Sequence, residues 1–139
     1  MPAFYSPIAA GYHYLRMAER TDKAYMQGEL VKLKKYFYAL RPLLAVRWIE
    51  QGRGPVPMLF ESLLATIEGQ ADLLAGIRDL LVRKVAGEEL DEGPRIAVID
   101  DFQRGELERL RSAVPSLPPV RGDRELLNDL FRKTVQPIH

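Results

Sequence analysis

One apolar stripe constrains this chain more than any other feature of its sequence. Between residues 33 and 48, large apolar side chains recur at spacings of three and four, the period of one helix face. A stripe of this length needs a core to cover it, so we predict a central helix over about residues 29–51. Pro42 lies inside this helix and should kink it, because proline removes one intrahelical hydrogen bond. The stripe consists of Leu33, Phe37, Leu40, Leu44 and Trp48.

The rest of the chain also shows helical periodicity, interrupted by glycine and proline. Ser6 and Pro7 form a helix start, with Ser6 as N-cap, and Thr21-Asp22 offers a second cap. Alternating strand patterns never exceed three or four residues, so the predicted fold is all-α, a bundle of five to seven helices with the Pro-kinked helix at its centre. The further predicted helices are 7–19, a short one ending at 26, 57–69, 70–85, 94–114 and 123–134.

The prolines after residue 114 suggest the domain organisation. Residues 1–114 are expected to form one helical domain, residues 115–122 a proline-rich linker, and residues 123–139 a short C-terminal helix and tail. A chain of 139 residues without cysteine is long enough for one core and has no disulfide framework. It shows neither a signal peptide nor a stretch long enough to span a membrane, so we expect a cytoplasmic protein without a membrane partner.

Positive charge is concentrated around the predicted central helix. Between Gly28 and Gly54 there are six cations and two anions, a local charge of +4, whereas the whole chain carries only +1. A local basic patch on a nearly neutral domain favours a small anionic ligand or one phosphate strand over broad duplex binding.

The candidate binding residues lie on the flank of the apolar stripe. Lys34, Tyr38 and Arg41 share one edge at spacings of four and three, Lys35 lies about 100° round the helix, and Arg47 is two turns further on the Lys35 side. Arginine binds phosphate bidentately, lysine contributes a point charge, and tyrosine stacks or donates a hydrogen bond. The competing interpretation is snorkelling, in which long cations cover the edges of the core.

Catalytic motifs are absent from the sequence. It contains no P-loop, no G-x-G-x-x-G, no G-x-S-x-G and no H-E-x-x-H, so no catalytic residue and no metal ligand is predicted. His13 with Tyr14 is a secondary candidate site for proton transfer, although packing is the more common role of such a pair. Adjacent helical residues point about 100° apart, so Asp100-Asp101 is expected to form a solvated face and not a metal site.

Several segments resemble a known family. They are F-Y-S-P-I at 4–8, Y-H-Y-L at 12–15, K-K-Y-F-Y-A-L-R-P-L-L-A at 34–45, R-W-I at 47–49 and P-V-P-M-L-F-E-S-L-L at 55–64. Together they resemble the C-terminal helical portion of a bacterial family of predicted nucleotidyltransferases in the DNA polymerase beta superfamily, associated with RNA repair. The resemblance covers most of residues 4 to about 107.

The resemblance implies a conditional function. Members hold the triphosphate with a Gly-Ser motif and two magnesium ions with Asp-x-Asp in an N-terminal domain, and this chain has neither motif. The chain would be the nucleotide- or RNA-facing helical domain, inactive alone, with no cofactor of its own and with Mg²⁺ and NTP needed by the assembled enzyme. Its partners would be the missing N-terminal catalytic domain or subunit, a nucleotide and, as a further candidate, RNA.

The same resemblance implies residue roles. Lys34 or Lys35 would contact phosphate, Arg41 phosphate or a nucleic-acid backbone, and Tyr38 would stack or hydrogen-bond, with Arg47 in support. The alternative is a helical protein-interaction module with no catalytic role, for which homodimerisation is a candidate because a docking face would be exposed when the chain is alone.

Overall fold

The computed structural model describes residues 6–87 and 92–117 of the chain. Within them, five α-helices and one two-stranded sheet follow in the order α1, β1, α2, α3, α4, β2, α5, with short 3-10 turns at Leu64–Ile67 and Val114–Ser116. The fold is mostly helical, which confirms the predicted all-α bundle. The helices are α1 Pro7–Tyr25, α2 Lys35–Glu50, α3 Phe60–Leu63, α4 Ala71–Val85 and α5 Ala97–Ala113, and the strands are β1 Leu30–Lys32 and β2 Glu92–Pro94.

Helix α1 begins where its cap predicts and ends later than predicted. The Ser6 side chain accepts a hydrogen bond from the backbone N–H of Ala9 at 3.2 Å, which confirms it as the N-cap. The predicted break near Thr21 is wrong, because α1 continues unbroken to Tyr25. Its buried face runs on through Ala18 to Met26, so packing overrides the local capping preference of Thr21-Asp22.

The predicted start of the central helix at residue 29 is also wrong. Residues 30–32 form β1, which pairs antiparallel with β2 so that Val31 lies opposite Gly93. Val31 is buried and its two neighbours are exposed, which is the period of a strand. A Cβ at Gly93 would lie only 3.0 Å from Cδ1 of Leu33, so a larger residue here would require the Leu33 side chain to shift. The predicted helix start at residue 94 is wrong as well, because Pro94 lies in β2 and α5 starts at Ala97.

Two further helices differ in how well the sequence predicts them. Helix α4 is confirmed at Ala71–Val85, with Leu73, Ile77 and Leu80 buried. Pro57 does not start a helix, because α3 spans only Phe60–Leu63 before the 3-10 turn. Within that segment Leu63, Leu64 and Ile67 are buried.

Helix α2 is the centre of the molecule and is buried on nearly every side. Its first half packs against the β strands, the 3-10 turn after α3, α4 and the start of α5. Its second half packs against α1 and the end of α5. The helix continues on both sides of the buried Pro42. Its buried residues are Tyr36, Phe37, Ala39, Leu40, Pro42, Leu43, Leu44, Ala45, Val46 and Ile49. The predicted stripe is confirmed as core, although Trp48 is only partly buried.

The predicted C-terminal organisation lies mostly outside the described residues. The linker from residue 118 and the helix at 123–134 are not described, so these stay predictions. Leu117 is buried against Gly11 of α1. Within the described ranges, none of the helices is both long and apolar enough to cross a bilayer.

A buried hydrogen-bond network joins α2 to α5. The Tyr36 hydroxyl donates to Oδ1 of Asp100 at 2.8 Å and accepts from the backbone N–H of Ile96 at 2.9 Å. Arg95 donates to Oδ2 of Asp100 at 2.9 Å and to the carbonyl of Gly28 at 2.6 Å. The prediction that Asp100 faces solvent is therefore wrong, since a buried carboxylate needs such partners. Asp101, by contrast, is exposed.

The Tyr36 network generates a stability prediction. Tyr36→Phe should lower the free energy of unfolding by about 1–3 kcal/mol at neutral pH, because Asp100 and the Ile96 N–H each lose a partner. Burial raises the pKa of Tyr36 from 10.0 to about 12, with a further rise from its hydrogen bond to Asp100. The stability that the neutral hydroxyl contributes is complete below pH 10 and is lost as the pH rises to about 12.

Urea denaturation across this pH range measures the effect. The difference in unfolding free energy between the wild type and Tyr36→Phe should shrink as the pH rises above 10. A difference that does not vary with pH would contradict the assignment.

Candidate functional site

The first two turns of α2 present a basic and aromatic edge. This α2 edge consists of Lys34, Lys35, Tyr38 and Arg41. Lys34, at the start of the helix, is exposed, and Tyr38 is 55% exposed one turn later. No acidic residue occupies the first turn of α2, so no carboxylate there neutralises the positive end of the helix dipole.

Lys35 lies between two tyrosine rings. Its Nζ is 4.2 Å from the ring centroid of Tyr25 and 4.3 Å from that of Tyr38. Both distances are within the range of cation–π attraction, which restrains the lysine next to aromatic surface. Tyr25 is the last residue of α1 and was missed by the sequence analysis, because only the packing of α1 on α2 brings it to this edge.

Arg41 connects the α2 edge to the loop before α3. Its Nη2 donates to the backbone carbonyls of Pro57 and Met58. Within the described part of the chain, the hydrogen bonds of Arg41 use this nitrogen alone. Arg41 thus ties the loop to α2, while its Nε and Nη1 make no hydrogen bond to the described residues.

The structure places Arg47 in a different contact network. Its guanidinium donates to Oε1 of Glu106 at 3.1 Å and to the carbonyl of Thr66 at 3.3 and 3.4 Å. It also lies 5.8 Å from the ring centroid of Phe102. These contacts tie α2 to α5 and to the 3-10 turn, so the geometry does not bring Arg47 together with the α2 edge.

Arg109 completes this second network. It donates to both oxygens of Glu50 at 2.8 and 2.9 Å and to Glu106 at 2.8 and 3.0 Å. These hydrogen bonds, to Glu50 first and to Glu106, raise the pKa of Arg109 above its already high ordinary value. The buried Glu106 carboxylate is therefore shared by two arginines, as a buried charge requires.

The secondary candidates lie on α1. His13 is exposed and Tyr14 is half-buried, with their ring centroids 5.4 Å apart. Tyr14 packs against the core cluster around the second half of α2. No group of three or more histidine, aspartate or glutamate side chains within residues 6–87 and 92–117 is arranged to hold a metal ion.

The Arg47 network generates a second stability prediction. Arg47→Ala should lower the free energy of unfolding by about 1–3 kcal/mol, because the Thr66 carbonyl and Glu106 lose hydrogen-bond partners. The matched control is Lys34→Ala, which removes one exposed cation from the same helix and should leave the unfolding midpoint unchanged. Chemical denaturation of both variants measures this, and equal effects would show that the Arg47 contacts do not stabilise the fold.

Comparison with known proteins identifies the family of this chain. The family model of RlaP, the RNA repair pathway DNA polymerase beta family, matches residues 1–133. The "Uncharacterized protein YcgL" of Bacillus subtilis (strain 168) is 43% identical over 135 residues, which are 96% of this chain and 52% of that protein. The chain thus spans about half the length of this relative. No solved structure matches the chain. With its family model matched over nearly its whole length, this chain belongs to the RNA repair pathway DNA polymerase beta family.

Proposed function

We propose that this chain is the helical domain of a cytoplasmic nucleotidyltransferase that faces the nucleotide or the RNA and is inactive alone. In the assembled enzyme an NMP group would be transferred from an NTP to an acceptor. The observation that carries the proposal is the α2 edge, in which two lysines, an arginine and the exposed ring of Tyr38 follow one another along the first turns of the most buried helix that the structure describes, with Tyr25 of α1 beside Lys35. Membership of the family supports the reaction class.

The α2 edge has the chemistry that a nucleotide needs. Lys34 and Lys35 stand at the positive end of the helix dipole, where they would neutralise phosphate oxygens. Arg41 would donate its remaining N–H groups to phosphate or to a nucleic-acid backbone. The exposed face of Tyr38 would stack on a base, a contact that tolerates every base because each has a π-face.

The same edge lacks what the chemical step requires. The resemblance to the DNA polymerase beta superfamily implies that nucleotidyl transfer needs Mg²⁺ bound by carboxylates. The described residues provide no carboxylate cluster for a metal. The 139 residues also contain neither Gly-Ser nor Asp-x-Asp. We therefore assign the metals and the triphosphate-binding motif to a catalytic domain or subunit outside these residues. The greater length of the Bacillus subtilis relative leaves room for such a domain.

Nucleotide titration tests this proposal. ATP and a short single-stranded RNA should each bind the isolated chain weakly, and a Lys34→Ala/Lys35→Ala double variant should weaken binding at least about fivefold through loss of phosphate neutralisation. Tyr38→Ala should weaken RNA binding with an unchanged salt dependence, because stacking releases no counterions. Fluorescence anisotropy at several salt concentrations separates the two effects.

The control for this titration is Arg78→Ala, which removes one exposed cation from α4. It should bind as the wild type does. Equal affinities of the wild type, the double lysine variant and Arg78→Ala, alone and after pairing with a catalytic domain, would refute the proposal.

A second candidate function is protein interaction through exposed apolar residues. Met58 is 88% and Leu59 is 72% exposed in the loop that Arg41 holds against α2. Large apolar side chains at such exposure mark surfaces that gain free energy when a partner covers them. The catalytic domain, or a second copy of this chain, is the partner that this candidate requires.

Light scattering tests the second candidate. If the loop is a docking surface, the wild type should associate as concentration rises, and a Met58→Ser/Leu59→Ser double variant should stay monomeric. A wild type that is strictly monomeric at high concentration and does not bind the catalytic domain would argue against an interaction surface here.

A further inference from the structure

A short stretch before α3, residues 57–59, is attached to α2 through one side chain. We call it the Met58 segment. The carbonyls of Pro57 and Met58 both accept from Nη2 of Arg41. Within the described part of the chain, residues 54–58 form no hydrogen bond between backbone groups. The side chains of Met58 and Leu59 are mostly exposed, so burial does not fix them either. The position of the Met58 segment therefore depends on Arg41.

The chain on either side of the Met58 segment is fixed by packing. Val56 packs against both core clusters. Phe60 packs against the cluster around the first half of α2, and its ring meets that of Phe37 edge to face at 5.4 Å. A loss of the Arg41 contacts would therefore move the Met58 segment without disturbing the core.

The nitrogen that binds the Met58 segment is also the one that a bidentate phosphate contact requires. A guanidinium binds an oxyanion through two parallel hydrogen bonds, either end-on through Nη1 and Nη2 or side-on through Nε and Nη2. Nε and Nη1 present their hydrogens on different edges, so these two nitrogens cannot form such a pair together. An oxyanion that binds Arg41 bidentately therefore competes with Pro57 and Met58 for Nη2.

The competition favours the phosphate. Hydrogen bonds from a cation to an anion are about twice as strong as those between neutral groups, and the two acceptors in the Met58 segment are neutral carbonyls. The contact with the Pro57 carbonyl is long, at 3.5 Å. Among the residues that the structure describes, no carboxylate forms an ion pair with Arg41, so its charge is not already neutralised.

We propose that Arg41 couples phosphate binding on the α2 edge to the position of the Met58 segment. A phosphate bound bidentately by Arg41 takes over Nη2, and the carbonyls of Pro57 and Met58 turn to water instead. The exposed side chains of Met58 and Leu59 then occupy different positions with and without phosphate. A partner that binds the released position raises the affinity for phosphate by the same factor, because such coupling is reciprocal. The inference rests on the proposed function, since it requires a phosphate at the α2 edge.

The carbonyl ¹³C resonance of Met58 tests the coupling. Met58-Leu59 is the only Met-Leu step among the 139 residues, so a chain with ¹³C-carbonyl methionine and ¹⁵N leucine gives a single HNCO cross-peak. The probe is sodium tripolyphosphate, with sodium chloride at equal ionic strength as the control. Tripolyphosphate should shift the Met58 resonance, and chloride should leave it in place. An equal shift in chloride would overturn the inference.

Arg41→Met supplies the reference for the released position, because methionine is a long side chain without a donor. Its Met58 resonance, without ligand, should lie where tripolyphosphate brings that of the wild type, and tripolyphosphate should not shift it further. The matched control is Arg78→Met, which removes an exposed arginine of α4 and should respond as the wild type does. A Met58 resonance that is the same in ligand-free Arg41→Met and wild type would refute the coupling. The wild-type titration is decisive even where this variant fails to fold.

Calorimetry separates the failure of this inference from the failure of the proposed function. Suppose that tripolyphosphate binds, that the Lys34→Ala/Lys35→Ala variant binds it more weakly, and that the Met58 resonance does not move. The coupling is then overturned and the proposed function stands. If tripolyphosphate, ATP and a short single-stranded RNA all fail to bind, both are overturned. ATP and the RNA form separate arms of the titration, and the one that shifts the Met58 resonance identifies the source of the phosphate.

Discussion

The burial of α2 on nearly every side is the constraint on which the rest of the structure depends. Ten of its sixteen residues are buried, and they contribute to both core clusters. A helix that is apolar almost all round can only be stable when neighbours cover it on every face. This requirement accounts for the positions of α1, α4, α5 and the strand pair, which cover α2. It also explains why only a small part of the α2 surface is exposed to solvent.

Two networks of polar side chains connect this helix to α5. Tyr36, Asp100 and Arg95 join the start of α2 to the start of α5, and Arg47, Glu106 and Arg109 join the later parts of the same two helices. Asp100 and Glu106, the two buried carboxylates among the residues that the structure describes, each have at least one arginine partner, as the cost of an unpaired buried charge demands. The cations of α2 are thereby divided: Arg47 binds α5, while Lys34 and Lys35 are kept at an end of the helix that faces solvent.

This division suits a domain that supplies binding groups to a larger enzyme. Because both halves of α2 are packed in the core, the helix is a rigid support for its lysine and tyrosine side chains. Tyr25, on the neighbouring helix α1, restrains Lys35. In the proposed enzyme the α2 edge would position phosphate and base, while the carboxylates that bind metal would come from elsewhere.

The sequence by itself determined the helical class, the apolar stripe of α2, the span of α4 and the Ser6 cap, because each depends on periodicity or on neighbours within one turn. Tertiary structure alone decided the rest. Residues 30–32 became a strand because β2, about sixty residues later, pairs with them and Val31 has a core to enter. Asp100 became buried because Tyr36, 64 positions away, donates to it. Arg47 joined Glu106 and Tyr25 reached Lys35 for the same physical reason: contacts between residues distant in sequence form only when the helices pack, and no local pattern encodes them.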